Sequence, residues 1–152
     1  MTSKGSKTHM EAALAQARLA AGREEVPVGA VLVDASGVVL AADGNRTREL
    51  ADPTAHAEML VIRAAAAKVG AARLAGCSLY VTLEPCPMCA AAISLARIRL
   101  LYFGASDAKG GGVEHGPRIF NQPTCHHAPE VYGGFCETEA AALLVSFFEQ
   151  RR

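Results

Sequence analysis

The sequence predicts one α/β domain in which helices pack against a sheet that is at least partly parallel. A nearly continuous apolar run at residues 26–33 is typical of a strand buried on both faces. Further strands are predicted at residues 78–83 and 100–104, and the stretch between them has helical character, which predicts a parallel crossover. With 152 residues, 51% of them hydrophobic, the chain is long enough for one substantial core.

The first predicted helix begins at Thr8, where residues 8–11 have the form of a capping box. Gly22 ends this helix. Its apolar positions recur at helical spacing, and we interpret them as core packing: Met10, Ala13, Leu14, Ala17 and Ala21. Residues 1–7 are polar and are predicted to form a flexible tail, without the apolar segment of a secretory signal.

Two strands and a polar loop follow this helix. Residues 26–33 and 38–42 are predicted to form a strand pair joined by a turn at residues 34–37. The loop at residues 44–48 then leaves the second strand. Its Asn45 could contact a base edge, or it could serve only the turn, because Asn tolerates a left-handed backbone.

Two more helices are predicted on either side of the strand at residues 78–83. The first runs from about Ala55 to Val69, with Thr54 as its cap and Gly70 as its stop. The second opens near Pro87, because proline suits a first helical position, and continues to about Arg97.

The last third of the chain is less regular. Residues 105–134 contain three consecutive glycines and three prolines, and a loop of this length is usually functional or mobile. A short strand near residues 130–132 could close the sheet edge. A final helix is predicted at residues 137–150.

Two short segments carry the chemistry, at residues 54–58 and 82–89. They supply an imidazole, His56, and a C-x-x-C pair, Cys86 and Cys89. A catalytic zinc takes about three protein ligands and leaves one position for water, and these three residues make such a set. Glu58 is then the free carboxylate that could move protons to and from that water.

Both segments fall at predicted helix starts just beyond strands, the end of an open α/β sheet where ligands bind. Side chains in a first helical turn tilt toward the helix N-terminus, so His56 and Glu58 can serve one site there. The positive end of the helix dipole favours thiolates at Cys86 and Cys89.

The combined spacing is more specific than either half. C-x-x-C alone could be redox-active, and H-x-E alone is common. H-x-E followed by P-C-x-x-C matches the signature of zinc nucleobase deaminases. A purely structural zinc would usually have a fourth Cys or His ligand instead.

Several other groups leave alternatives open. Residues 125–127 (Cys-His-His) with His115 could form a second metal cluster, but adjacent ligands chelate poorly and the segment lies in a loop, which favours substrate-facing or solvated roles for the histidines. Asp107 and Lys109 lie after a strand, either near the site or in a solvated turn. Residues 147–152 (Phe-Phe-Glu-Gln-Arg-Arg) could stack on bases and bind phosphates, or could be core phenylalanines with a basic end.

Composition limits the partners and the compartment. Lys and Arg equal Asp and Glu at 15 each, so any nucleic-acid contact must depend on a local basic patch. No apolar run approaches the roughly 18 residues of a membrane span. Five cysteines, an odd number that includes a C-x-x-C, favour metal or redox chemistry and a cytoplasmic location.

Beyond the zinc motifs, residues 52–58, 82–89 and 147–152 resemble the bacterial tRNA-specific adenosine deaminases. The resemblance extends over residues 25–30, 44–46 and 105–109, and so over nearly the whole chain after residue 8. It implies a three-layer α/β/α cytidine-deaminase-like fold with a mixed five-stranded sheet, as a single zinc deaminase domain over residues 8–152. It also implies a homodimer that converts adenosine to inosine at the wobble position of a tRNA anticodon, typically that of an arginine tRNA.

Residue by residue, the resemblance places one zinc ion on His56, Cys86 and Cys89 and assigns the proton transfer to Glu58. It implies that Asn45 contacts the purine and that Asp107 touches the backbone or sugar of the flipped-out nucleotide. It implies that three residues line the base pocket: Val28, Leu83 and Phe148. Residues 110–115 and 121–127 depart from the best-known members of the family.

Two other functions remain compatible with the sequence. One is a free-base or nucleoside deaminase of the same superfamily acting on guanine or cytosine, which the zero net charge favours. The other is a non-catalytic, zinc-stabilised nucleic-acid-binding module. Glu58 argues against the second, because a structural zinc does not need that carboxylate.

Overall fold

The computed structural model describes the backbone of residues 3–151 and the side chains of residues 5–151. Its centre is a five-stranded sheet in the order β2-β1-β3-β4-β5. The strands are β1 Gly29–Val33, β2 Val39–Gly44, β3 Ser78–Leu83, β4 Leu100–Ala105 and β5 Glu130–Tyr132. The helices are α1 Ser3–Gly22, α2 Ala57–Val69, α3 Pro87–Leu95 and α4 Glu137–Glu149, with a short 3₁₀ helix at Ile119–Asn121.

The sheet is mixed, as predicted. β1 pairs antiparallel with both β2 and β3, whereas β3, β4 and β5 run parallel to one another. The predicted parallel crossover from β3 through α3 to β4 is therefore confirmed. The short strand at the edge is also present, so the parallel half of the sheet has three strands.

Helices cover both faces of the sheet, which confirms the three-layer α/β/α arrangement. On one face, Val31 and Val33 of β1 join a core with α1, and α4 packs over β4 and β3. On the other face, Ala30 and Leu32 join a core with α2 and α3. Alternate side chains of β1 thus enter two different cores, which explains why its sequence is apolar throughout.

The prediction for the first helix is wrong at its start. α1 already includes Ser3, so residues 3–7 are helical and Thr8 is not its cap; residues 1 and 2 lie outside the described part of the chain. Ser6 is buried and hydrogen bonds to Tyr80 of β3. This tertiary contact extends the helix through a polar segment whose composition indicated a tail.

Other element boundaries shift by a few residues. β1 starts at Gly29, later than predicted, because the segment before it turns at Pro27, with the Val28 N–H donating to the Val26 carbonyl at 2.8 Å. α3 ends at Leu95, and Arg97 adopts a left-handed backbone with φ 62°. Among the described residues, no helix is long and apolar enough to cross a membrane.

Candidate metal centre and active site

The C-x-x-C segment forms the junction between β3 and α3. Cys86 is the N-cap of α3, with an extended backbone (φ −70°, ψ 170°), and Pro87 occupies the first helical turn. Cys89 follows one turn later and is fully buried. Because the N-cap and the first turn face the same end of the helix, both sulfurs point to one place beyond the sheet.

The H-x-E segment forms the start of α2, but not as predicted. α2 begins at Ala57 with His56 as its N-cap, not near Ala55 with Thr54 as the cap. The Thr54 hydroxyl and N–H instead donate to Asp52 Oδ1, at 2.7 and 2.8 Å. The N–H of Ala57 donates to Asn45 Oδ1 at 2.8 Å, so a residue at the start of the connection between β2 and α2 satisfies the helix terminus.

These two helix starts bring three metal-binding atoms together. His56 Nδ1 lies 3.6 Å from Cys86 Sγ and 3.5 Å from Cys89 Sγ. All three ligand atoms lie within 4.8 Å of one another. Bond lengths of about 2.1 Å to nitrogen and 2.3 Å to sulfur at a tetrahedral angle separate nitrogen and sulfur by about 3.6 Å. The three residues therefore fit a tetrahedral zinc ion with one remaining position.

The charges of the site also suit a cation. The hydrogen bond from Cys89 and the neighbouring His56 lower the pKa of Cys86 to about 4, so that sulfur is a thiolate. The hydrogen bond to Cys86 and burial raise the pKa of Cys89. A bound zinc ion would stabilise both as thiolates, the form in which cysteine coordinates metals.

Glu58 is the buried carboxyl group next to this ligand set. Only 4% of the residue is exposed, and burial raises the pKa of Glu58 to about 7. A carboxyl group poised near neutrality can both accept and donate a proton at physiological pH. A carboxyl group with this position and ionisation can take part in proton transfer, and that role of Glu58 stays a prediction.

A pocket of about 310 Å³ opens in front of these residues. Most of the predicted substrate-binding residues line it: Val28, Asn45, Leu83 and Asp107. Sequence reasoning missed several others in its wall: Val26, Thr47, Glu84 and Gly110. The pocket is large enough for a purine base but not for a folded RNA, which would have to present a single extruded nucleotide.

Phe148 is the predicted pocket residue that does not line this cavity. It is half exposed on α4 and makes an edge-to-face contact with Phe147, which is buried. The guanidinium of Arg151 lies 3.5 Å from the centre of the Phe147 ring and also pairs with Glu24. Phe147 and Arg151 are thus engaged within the protein, and Phe148 is the aromatic ring that faces outward.

Two further carboxylates, which sequence reasoning did not single out, are buried beside the pocket. Glu25 accepts hydrogen bonds from the N–H groups of Arg48 and Glu49 and from the Thr47 hydroxyl, at 2.8–3.3 Å. Burial alone would raise the pKa of Glu25, but these donors hold it below its usual value. The sequence signal that could have identified Glu25 is its position as an acidic residue directly before an apolar run.

Glu84 is the second of these carboxylates. Burial would raise its pKa too, but N–H donors from residues 107–115 lower it. Only 2% of Glu84 is exposed. Each carboxylate therefore fixes a loop that contributes to the pocket wall.

The second metal cluster considered from the sequence does not form among the described residues. His115 Nδ1 lies 2.7 Å from Glu84 Oε1, whereas His127 Nε2 lies 2.7 Å from the Ile98 carbonyl. Cys125 lies next to Ser94, with 3.4 Å between Sγ and Oγ. These side chains have separate polar partners and do not converge on one point.

Fold and site together define a zinc-dependent hydrolase with a His-Cys-Cys ligand set and a separate buried glutamate. The model of the cytidine and deoxycytidylate deaminase zinc-binding region matches residues 3–105. The chain therefore belongs to the cytidine and deoxycytidylate deaminase family, and it binds one zinc ion.

Individual relatives and solved structures give a more specific comparison than the family model. The tRNA-specific adenosine deaminase of Agrobacterium fabrum is 63% identical over 147 residues, 96% of each chain. A solved structure from work on A-to-I editing by tRNA:A34 deaminases at the wobble position of transfer RNA is 64% identical, with a TM-score of 0.88, and the match covers 90% of this chain and 99% of that one. The guanine deaminase of Bacillus subtilis is 30% identical, with a TM-score of 0.66, over 87% of this chain and 85% of that one.

Proposed function

We propose that this protein hydrolyses adenosine to inosine at the wobble position of a tRNA anticodon, most directly that of an arginine tRNA. The single observation that carries the substrate assignment is the 63% identity, over 96% of both chains, to a tRNA-specific adenosine deaminase. The reaction type is supported independently by a buried Glu58 next to three converging zinc ligands.

Asn45 is the pocket residue best suited to orient the base. Its Oδ1 accepts the Ala57 N–H, so its Nδ2 is the atom left to donate toward the pocket. A purine ring nitrogen is an acceptor that this amide can reach. Val28 and Leu83 supply apolar walls for the flat faces of the ring.

Glu58 performs the proton transfers of this reaction. A zinc ion held by His56, Cys86 and Cys89 would supply Lewis-acid activation of the water that attacks C6. Glu58 takes a proton from that water and delivers it to N1 of the ring. It then passes the second proton to the amino group, the bond between C6 and nitrogen breaks, and ammonia leaves with inosine as the product.

Two residues farther from the metal centre are assigned to the ribose and to a neighbouring base. Asp107 lies at the pocket wall, where its carboxylate can accept a hydrogen bond from a ribose hydroxyl. Phe148 lies outside the pocket with its ring half exposed, and there it can stack on an anticodon base next to the extruded one.

A homodimer in the cytoplasm is part of the same proposal. Leu95 of α3 is 76% exposed, which is unusual for a large apolar side chain. It lines an apolar cavity of about 270 Å³ together with Ala91 and Ile119. A second copy of the chain seated there would remove this surface from water. The cytoplasm is where a bacterial tRNA substrate is found.

The decisive experiment incubates the zinc-loaded protein with an unmodified arginine tRNA and searches the anticodon for inosine by mass spectrometry. We expect one inosine per tRNA at position 34, and tRNA binding that weakens as salt rises. No inosine, together with ammonia released from free guanine or cytosine, would assign the protein to the free-base deaminases.

That alternative has two observations in its favour. The formal net charge of the chain is zero, and a guanine deaminase structure is 30% identical to it. It predicts turnover of the free base that does not change with salt. A non-catalytic module would produce neither inosine in the tRNA nor ammonia from a free base. The burial of Glu58 next to the metal ligands would then be unexplained.

A further inference from the structure

Glu84 lies between the zinc ligands and the outer wall of the pocket. It is the last residue before the Pro85-Cys86 turn, and its backbone N–H donates to the Ala105 carbonyl at 2.8 Å. Its side chain therefore starts from the same rigid junction of β3 and α3 that presents Cys86 and Cys89. Only 2% of the residue is exposed.

The carboxylate of Glu84 collects donors from a single loop, residues 107–115. The Asp107 N–H donates to Oε1 at 3.0 Å, and His115 Nδ1 lies 2.7 Å from the same oxygen. Three consecutive backbone N–H groups converge on Oε2 at 2.9–3.2 Å: those of Val113, Glu114 and His115. A charged acceptor with this many donors fixes the loop more firmly than neutral turns do.

Two glycines of this loop are explained by close contacts, one with Glu84 and one with the start of α3. A Cβ on Gly111 would collide with Glu84 Oε2. A Cβ on Gly112 would lie 2.6 Å from the backbone nitrogen of Pro87, and the Gly112 N–H donates to the Pro85 carbonyl at 2.8 Å. The loop backbone thus packs directly against the start of the zinc-binding helix.

This loop carries part of the pocket wall, since Asp107 and Gly110 both line the cavity. The Asp107 side chain is itself oriented, because its Oδ1 accepts the N–H groups of Lys109 and Gly110 at 3.2 and 2.9 Å. One buried carboxylate therefore sets the distance between the metal ligands and the residue assigned to the nucleotide.

We propose that Glu84 is a positioning residue: its buried carboxylate holds residues 107–115 in register with the zinc-binding helix, so that Asp107 meets the nucleotide whose base lies over Glu58. The proposal rests on the deaminase function proposed above. It assigns Glu84 no contact with substrate and no proton to transfer. The partly exposed ring of His115 adds a side-chain partner to the backbone donors of the same carboxylate.

The first test does not depend on the substrate. Hydrogen exchange is followed in the full-length zinc-loaded chain and in Glu84→Gln, whose amide nitrogen would face N–H donors. We expect the amides of Asp107 and residues 113–115 to exchange at least roughly tenfold faster, with zinc content and α3 exchange unchanged. Unchanged protection of this loop would overturn the proposal, as would loss of zinc.

The second test separates positioning from chemistry by kinetics on an anticodon stem-loop. Glu84→Gln should raise KM about tenfold while kcat changes by less than about threefold. Asp107→Asn should cost much less in the Glu84→Gln background than in the wild type, because a displaced Asp107 no longer makes its contact. Additive effects, or a fall in kcat alone, would contradict the proposal.

Two further variants serve as a control for Glu84→Gln and as a replacement for it if it does not fold. Glu114→Gln makes the same chemical change on an exposed side chain of the same loop and should leave exchange and zinc content unchanged. If Glu84→Gln does not fold, His115→Ala removes one donor from a partly exposed ring and should show the same loop exchange in weaker form. A wild-type chain without inosine formation would count against the proposed function, while the exchange result would still decide the role of Glu84.

Discussion

The pocket has a floor, formed by His56, Glu58, Cys86 and Cys89, and a rim, formed by the loops at residues 47–49 and 107–115 with their anchors Glu25 and Glu84. Both regions contain buried glutamates, but the pKa values of these glutamates are shifted in opposite directions. On the floor, burial dominates and raises the pKa of Glu58 to about 7. At the rim, Glu25 and Glu84 are also shielded from solvent, but backbone N–H donors lower their pKa. The supply of donors, and not burial alone, decides whether a buried carboxyl can exchange protons or serves as a fixed anion.

The floor and the rim also differ in how they are built. The floor consists of side chains at two helix starts, so rigid elements hold the candidate metal ligands and Glu58. The rim consists of two loops that would be mobile without an anchor, and one carboxylate secures each of them. This division predicts that floor substitutions abolish chemistry, whereas rim substitutions change substrate affinity or stability.

The largest effect is expected for Cys86→Ala. Removing one of three ligands should reduce zinc from one per chain to near zero, abolish activity and lower the thermal midpoint, because metal binding is coupled to folding. Atomic absorption and thermal melting measure both losses. Cys125→Ala, which removes a thiol outside the ligand set, should retain the zinc. A Cys86→Ala protein that still bound one zinc tightly would disprove the ligand assignment.

Glu58→Ala should separate metal binding from catalysis. We expect zinc content to remain at one per chain, because Glu58 is not a ligand, while kcat falls about a hundredfold to ten-thousandfold through loss of proton transfer. Inosine formation under single-turnover conditions is the measurement. Activity close to wild type would show that another group carries the proton.

Gly111→Ala tests the rim without changing any charge. The new Cβ would collide with Glu84 Oε2 and lie 2.5 Å from the Asp107 carbonyl, so the loop must shift. We expect KM to rise several-fold, roughly 1 kcal/mol of binding, with kcat nearly unchanged. The control is Gly22→Ala at the end of α1, where a Cβ meets nothing within 4 Å. If the two substitutions changed KM equally, the contact between Gly111 and Glu84 would have no specific role in substrate binding.

Glu25→Gln should mainly affect stability, by about 1–3 kcal/mol at neutral pH, through loss of charged hydrogen bonds. The folded state holds the pKa of Glu25 below the reference value of 4.5. Its contribution is therefore present above that value and disappears as pH falls through the lower, folded pKa. Urea unfolding at several pH values should show the gap between wild type and variant closing in acid, while the exposed Glu11→Gln shows no such gap.

Much of the fold could be predicted because its signals are local. The apolar run at residues 78–83 predicted β3 at its observed limits, and Gly70 ended α2 in the left-handed conformation expected of a stop. The start of α1 could not be predicted, because a contact between Ser6 and Tyr80, far apart in sequence, stabilises its first turns.

The sequence by itself was enough to predict the three candidate zinc ligands and Glu58 as the proton-transfer residue, because metal coordination requires particular side chains at particular spacings. Only the tertiary structure decided how the pocket is completed. Asn45 caps α2 from the other end of the loop that precedes this helix, and Glu25 and Glu84 anchor the rim through backbone N–H groups. Every residue except proline has a backbone N–H, so such contacts leave no signature in the sequence of the loops that they hold.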